Sequence, residues 1–220
     1  SALVNLLRKA GYNVQAEYYI NDAGNQMDNL AASVNARYLE LLGYPSEIPE
    51  NGYHGHDIIE TAQAIIDQDG DAYLSMAEPE RLAYFKDRAY AEKLKALRQD
   101  LAAFNVHYDN WFSERTLHPD AIRAACDELK KRGKAYEKDG ALWLKSTDYG
   151  DDKDRVIIRD NGVPTYLAAD IAYHKNKYER GFRKMINIWG ADHHGYVARV
   201  KASMAALGYD PSQLEVLLLQ

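Results

Sequence analysis

Met185-Ile186-Asn187-Ile188-Trp189-Gly190-Ala191-Asp192-His193-His194-Gly195-Tyr196 is the stretch whose reading decides the fold. Residues 184–189 are rich in apolar and β-branched side chains and read as a strand that ends at Gly190. The run 196–207 has helical periodicity and is closed by Gly208, a residue suited to the turn past a helix end. Residues 214–219 are almost wholly apolar and read as a further strand. Strand, polar loop, helix and strand predict an α/β architecture at this end of the chain.

The other end has the same grammar. Residues 3–10 read as the end of a helix, with Gly11 as its cap, and 12–20 as a strand of aromatic and β-branched residues. Asn21-Asp22-Ala23-Gly24-Asn25 is a polar turn, and 26–42 is a long helix stopped by Gly43. This is half of a βαβ unit. Between the two ends, 45–105 is helical: Ile58, Ile59, Ala62, Ile65 and Ile66 share a face, and similar spacing continues from Leu82 to Leu101. Residues 106–112 suggest a short strand and 119–133 a helix. Residues 135–145 and 155–166 suggest strands with Asp139-Gly140 and Asn161-Gly162 turns, and 166–178 a helix.

Bulk properties narrow the function. The 220 residues, 46% hydrophobic and 27% charged, suit a globular α/β domain with an insertion, or two small domains. The apolar stretches are far shorter than a membrane span, and no secretory pattern opens the chain. One cysteine excludes an internal disulfide and fits a reducing cytoplasm. A net charge of -6 argues against a free-standing nucleic-acid-binding module, which must neutralise phosphates. The basic run at 130–134 reads as a solvated helix end.

Three segments carry chemistry. In the first, Gly190 leaves room for a flat ligand to approach the backbone, Asp192 offers two acceptor oxygens suited to paired ribose hydroxyls, and His193 can face a second ligand. The plain alternative is a strand-to-helix loop with Asp192 as a helix cap. Adjacent histidines rarely reach one ion and no third ligand lies nearby, so no metal site is expected. In the second, Thr165-Tyr166-Leu167-Ala168-Ala169-Asp170, Tyr166 and Asp170 are four apart and share a helix face, a socket for a planar cation. The alternative is an aromatic anchor followed by a solvated acid. In the third, Tyr18-Tyr19-Ile20-Asn21-Asp22, the polar residues Asn21 and Asp22 mark either a site rim or a simple turn. Ligands on such sheets sit at the carboxyl ends of the strands, where the first and third segments fall.

Taken in order, these segments resemble the arginyl-tRNA synthetase family of class I synthetases, through nearly the whole chain. Gly140-Ala141-Leu142-Trp143-Leu144 and Gly150-Asp151-Asp152-Lys153-Asp154-Arg155-Val156 add to the resemblance. It implies a Rossmann-like parallel-sheet core interrupted by helical and β-hairpin insertions. The core is split between 1–44 and 164–220, with a helical segment at 45–105 and a strand plus connecting insertion at 106–163. It implies ATP-dependent attachment of L-arginine to its tRNA in the cytoplasm, by a monomeric full enzyme with ATP as substrate, Mg2+ and no prosthetic group. On matching positions, Tyr166, Asp170 and His193 fall at the arginine site, and Gly190 and Asp192 at the nucleotide. The share of the work between His193 and His194 stays open.

The sequence also departs from the family's pattern. The His-x-Gly-His and Lys-Met-Ser-Lys-type signatures of class I synthetases do not occur, and His54-Gly55-His56 has the wrong spacing. The chain resembles a core that starts past the first signature and stops short of the second, so it is expected to be inactive alone. The alternatives are another class I synthetase, or a non-catalytic binding or dimerisation module derived from one.

Overall fold

The computed structural model describes residues 1–220, which divide into two units, Ser1–Ser113 and Glu114–Gln220. The first unit holds α1 (Ala2–Lys9), β1 (Glu17–Ile20), α2 (Asn25–Leu41), α3 (His56–Asp69), α4 (Glu78–Ala103) and β2 (Asn110–Ser113). β1 and β2 are parallel, with Glu17 opposite Asn110 and Ile20 opposite Ser113. A parallel pair needs a long return path, and α2, α3 and α4 provide it.

The helices close on Val34, Tyr38, Ile58, Ala62, Ile65, Phe85 and Ala89. Ile58, Ala62 and Ile65 recur at helical spacing, so one stripe of α3 meets the core. Burying an isoleucine or phenylalanine side chain there contributes roughly 1.5–3 kcal/mol before entropy is counted. Two expectations are corrected. The strand expected at 12–20 forms only over Glu17–Ile20, because β2 pairs no further; upstream, the Asp109 carboxylate accepts the Ala16 amide at 2.6 Å. The helix expected from 45 begins at His56. Pro45 and Pro49 lack the amide a helix would use. This approach segment is tied to α2 by the Tyr53 amide, which donates to the Ser33 hydroxyl at 2.8 Å.

The second unit holds α5 (Asp120–Lys131), β3 (Ala135–Lys138), β4 (Ala141–Leu144), β5 (Arg155–Ile158), α6 (Tyr166–Glu179), β6 (Met185–Gly190), α7 (Val197–Ala206) and β7 (Leu214–Leu219). β3, β4 and β5 form an antiparallel sheet. Asp139 and Gly140 both take left-handed φ, 51° and 76°, as the tight turn between β3 and β4 requires. The strand expected at 155–166 stops at Ile158. Beyond it lies only a bridge to Pro164, which has no amide to extend a ladder. β6 and β7 run parallel, from Met185 opposite Leu214 to Gly190 opposite Leu219, with α7 as the crossover. Ile122, Leu129, Leu144, Ile157, Ile171, Met204 and Leu214 are fully buried. The segment expected at 106–163 is thus divided, its strand in the first unit and its hairpin in the second. No helix is long and apolar enough to cross a membrane.

Candidate functional site

β6 delivers the chain to Gly190, and a 3-10 helix over Ala191–Tyr196 carries it into α7. Asp192 makes no side-chain cap, so the capping alternative does not hold. Its side chain is 79% exposed, with His193 Nε2 3.6 Å away. The space over Gly190 is not open as expected: an added Cβ there would collide with the Asp192 carboxylate, so Gly190 lets Asp192 fold back over the backbone. Trp189 flanks the loop, its ring 6.2 Å from His193 and 5.9 Å from Tyr196.

α6 lies beside this loop and is buried at Leu167, Ala168, Ala169, Ile171, Ala172, Tyr173 and His174. Apolar and small residues fill its first turns around Asp170, and the Asp170 side chain is placed by a neighbour. Asp170 Oδ2 accepts a hydrogen bond of 2.6 Å from the Tyr196 hydroxyl. Burial pushes the Asp170 carboxyl up to about 6; the Tyr196 bond opposes this, nearby Glu114 adds to it, and Lys177 and His193 oppose it. Glu114 is itself buried and meets His118 Nε2 at 3.3 Å. Above about pH 6 Asp170 therefore carries a desolvated negative charge, which suits a cationic partner.

A buried polar chain supports the same turn of α6. His174 Nδ1 lies 2.7 Å from the Asp170 backbone oxygen, and His174 Nε2 lies 2.7 Å from Asn187 Nδ2 on β6. Lys177 Nζ donates to Asn187 Oδ1 at 3.0 Å. Burial lowers His174 to about 3, so its ring is neutral at pH 7. A neutral ring has one donor and one acceptor: Nδ1–H donates to the carbonyl and Nε2 accepts from the amide of Asn187.

The structure sorts the expected site residues. Asp170, Gly190, Asp192 and His193 all lie in the second unit, with His193 Nε2 3.6 Å from the Asp192 carboxylate and Gly190 beside Asp192. Tyr166 is 71% exposed, and the phenol bonded to the Asp170 carboxylate is that of Tyr196. Tyr166 lies in the first turn of α6, where its side chain points back past the helix start. In the first unit, Asn21 is exposed, but Asp22 is 2% exposed and accepts from the Ser113 hydroxyl at 2.6 Å. Asp22 is a tie between strand ends rather than a rim residue. Sequence reasoning missed Tyr196, His174, Asn187, Lys177 and Glu114. No local pattern marks pairs such as Lys177 and Asn187, 10 positions apart, or Tyr196 and Asp170, 26 apart. Cys126 is buried and its thiol is pushed up to about 12 by burial, so it supplies no nucleophile. No group of three or more His, Cys, Asp or Glu side chains is arranged to hold a metal ion.

An arginine–tRNA ligase of Carboxydothermus hydrogenoformans is 55% identical over 219 residues, covering 99% of this chain and 39% of that relative. One from Moorella thermoacetica is 54% identical over 220 residues, again 39% of its length. The chain thus spans about two fifths of the length of the curated relatives it matches. A solved Campylobacter jejuni structure described as an arginyl-tRNA synthetase superposes with a TM-score of 0.91 at 42% identity, covering 99% of this chain and 48% of that one. The Thermus thermophilus arginyl-tRNA synthetase shares the fold, with a TM-score of 0.67 at 20% identity over 99% of this chain and 43% of that one. The family described as tRNA synthetases class I (R), catalytic domain, matches residues 1–218, and the chain belongs to that family.

Proposed function

We propose that the protein carrying this chain is an arginine–tRNA ligase of the cytoplasm, acting as a monomer on L-arginine, MgATP and tRNA. The substrate carboxylate attacks the α-phosphorus of ATP, pyrophosphate leaves, and the arginyl group then passes from the adenylate to the tRNA terminus. The core of the enzyme, in this reading, is split between 1–44 and 164–220. The observation that carries it is Asp170, a carboxylate desolvated in the second unit and held by the Tyr196 hydroxyl. A guanidinium is planar, permanently charged and rich in donors, so it meets a carboxylate with two parallel hydrogen bonds. Tyr166 and His193 complete the arginine side, Tyr166 as a surface aromatic at the mouth. Asp192 takes the ribose hydroxyls of ATP, with Gly190 beside it. Mg2+ enters on the ATP phosphates.

The test is arginine-dependent ATP–pyrophosphate exchange by the full-length protein, at varied arginine and varied ATP. Asp170→Asn keeps the shape of the acid and removes its charge. An uncompensated buried guanidinium costs on the order of 3–5 kcal/mol, so arginine-dependent efficiency should fall several hundred-fold or more while the ATP requirement changes far less. Exchange that ignores arginine, or an Asp170→Asn variant with unchanged arginine dependence, overturns the proposal.

A further inference from the structure

We propose that Tyr196 is a positioning residue for the arginine site: its phenol holds one oxygen of the Asp170 carboxylate, keeping the acid charged and aimed for an incoming guanidinium. This rests on the reading of Asp170 given above. The hydrogen bond joins residues 26 positions apart, from the end of the Ala191–Tyr196 segment to the second turn of α6. Only an ionised carboxylate is a pure acceptor, so a hydroxyl donated to it favours the charged form. A carboxylate has about four acceptor positions, which leaves room for a forked cation after Tyr196 has taken one. The Tyr196 ring is flanked by the Trp189 ring, 5.9 Å away, and by the Arg199 guanidinium, 5.8 Å from its centre.

The charges around Asp170 set the background. Glu114, on the turn before α5, opposes ionisation, while Lys177 on α6 and His193 on the loop favour it. His174 on α6 is neutral and meets the Asp170 backbone rather than its carboxylate. α5 presents Glu128 to Lys175, on a later turn of α6. α7 presents Arg199 to the Tyr196 ring, and Arg155 of β5 is engaged by Asp151 and Asp152. Tyr196 is thus the group that bonds the carboxylate directly against the cost of its burial.

The experiment follows the Asp170 carboxyl by carbon-13 NMR in the ligand-free full-length protein, and arginine affinity by calorimetry, from pH 5.5 to 8.5. Wild type, Tyr196→Phe and Asp170→Asn are compared. In Tyr196→Phe the Asp170 midpoint should rise by about one pH unit, the equivalent of about tenfold in proton affinity. Arginine affinity should then fall about fivefold at pH 6, as the ionised fraction drops from about one half to about one eleventh, and change little at pH 8.5, where Asp170 is ionised with or without the phenol. An unmoved midpoint with the same affinity loss at every pH makes Tyr196 a structural tie only and overturns the proposal. If Tyr196→Phe does not fold, 3-fluorotyrosine at position 196 keeps the ring and makes the phenol a stronger donor. It should lower the Asp170 midpoint, and an unmoved midpoint overturns the proposal in that arm too. Asp170→Asn separates the two claims. Undiminished arginine binding in that variant sinks the guanidinium reading and this one with it, whereas lost binding beside an unmoved Tyr196→Phe midpoint sinks the role of Tyr196 alone.

Discussion

Asp22 and Asp192 each stand two residues beyond the end of a strand in a parallel pair, yet one is 2% exposed and the other has a side chain 79% exposed. The partner strand makes the difference. Ile20, the last residue of β1, pairs with Ser113, whose hydroxyl reaches the Asp22 carboxylate. Gly190, the last residue of β6, pairs with Leu219, which has no donor to offer. The same offset after the same kind of strand therefore yields a structural tie in one unit and an available acid in the other. An acid at a strand end is a ligand candidate only when the neighbouring strand leaves its oxygens free.

The sharpest way to break this contrast is to remove each acid in turn. In the full-length protein, Asp192→Ala should reduce ATP-dependent efficiency by about tenfold to a hundredfold, the worth of a hydrogen-bonded charge at roughly 1.5–3 kcal/mol. Its arginine requirement and thermal midpoint should stay near wild type, since an exposed side chain with no cap bond adds little stability. Steady-state exchange at varied ATP together with a melting curve checks both halves. A lowered melting point with normal ATP use would make Asp192 the structural acid.

Asp22→Ala should behave in the opposite way. It removes a charged acceptor of the Ser113 hydroxyl from the buried Asp22 position and should cost about 1–2 kcal/mol of stability. Denaturant unfolding should show this as a lower midpoint, and hydrogen exchange should be faster in β1 and β2. An Asp22→Ala variant of wild-type stability that loses substrate binding would return Asp22 to the site rim.

The smallest effect concerns pH in the second unit. His174 is lowered to about 3 in the folded chain, so stability present above its unfolded value near 6.5 is lost as pH falls. Asp170 is raised to about 6, so its folded state takes up a proton first, and stability is gained as pH falls from about 6 toward 4. The two oppose each other across that window. Asp170→Asn removes one side of the balance, and the stability of α6 should then drop by about 1 kcal/mol more than in wild type between pH 6 and pH 5. Hydrogen exchange of the α6 amides at the two pH values measures it, and equal slopes in both proteins would remove the opposition.

Much of the fold was legible because it is set by near neighbours in the chain. The run 214–219 is β7 to the residue, Asp139-Gly140 makes the hairpin turn, and the helix expected at 26–42 is α2 within one residue at each end. The strand at 12–20 was over-read because aromatic and β-branched residues favour extended backbone without saying where a partner strand ends. In the site, the chemistry of Asp170 and Asp192 was legible as residue type, but Tyr166 was paired with Asp170 on spacing alone.

The sequence by itself determined where most helices, strands and turns form, and that one acid lies on the helix from 166 and another just past a strand end. Propensity, periodicity and turn chemistry act over about four residues, and the chain carries that information locally. Only the tertiary structure decided which hydroxyl meets which carboxylate: Tyr196 on Asp170 across 26 positions and Ser113 on Asp22 across 91. Those choices rest on which strands pair and which faces are buried, and burial is what turns an ordinary carboxylate into one pushed up to about 6.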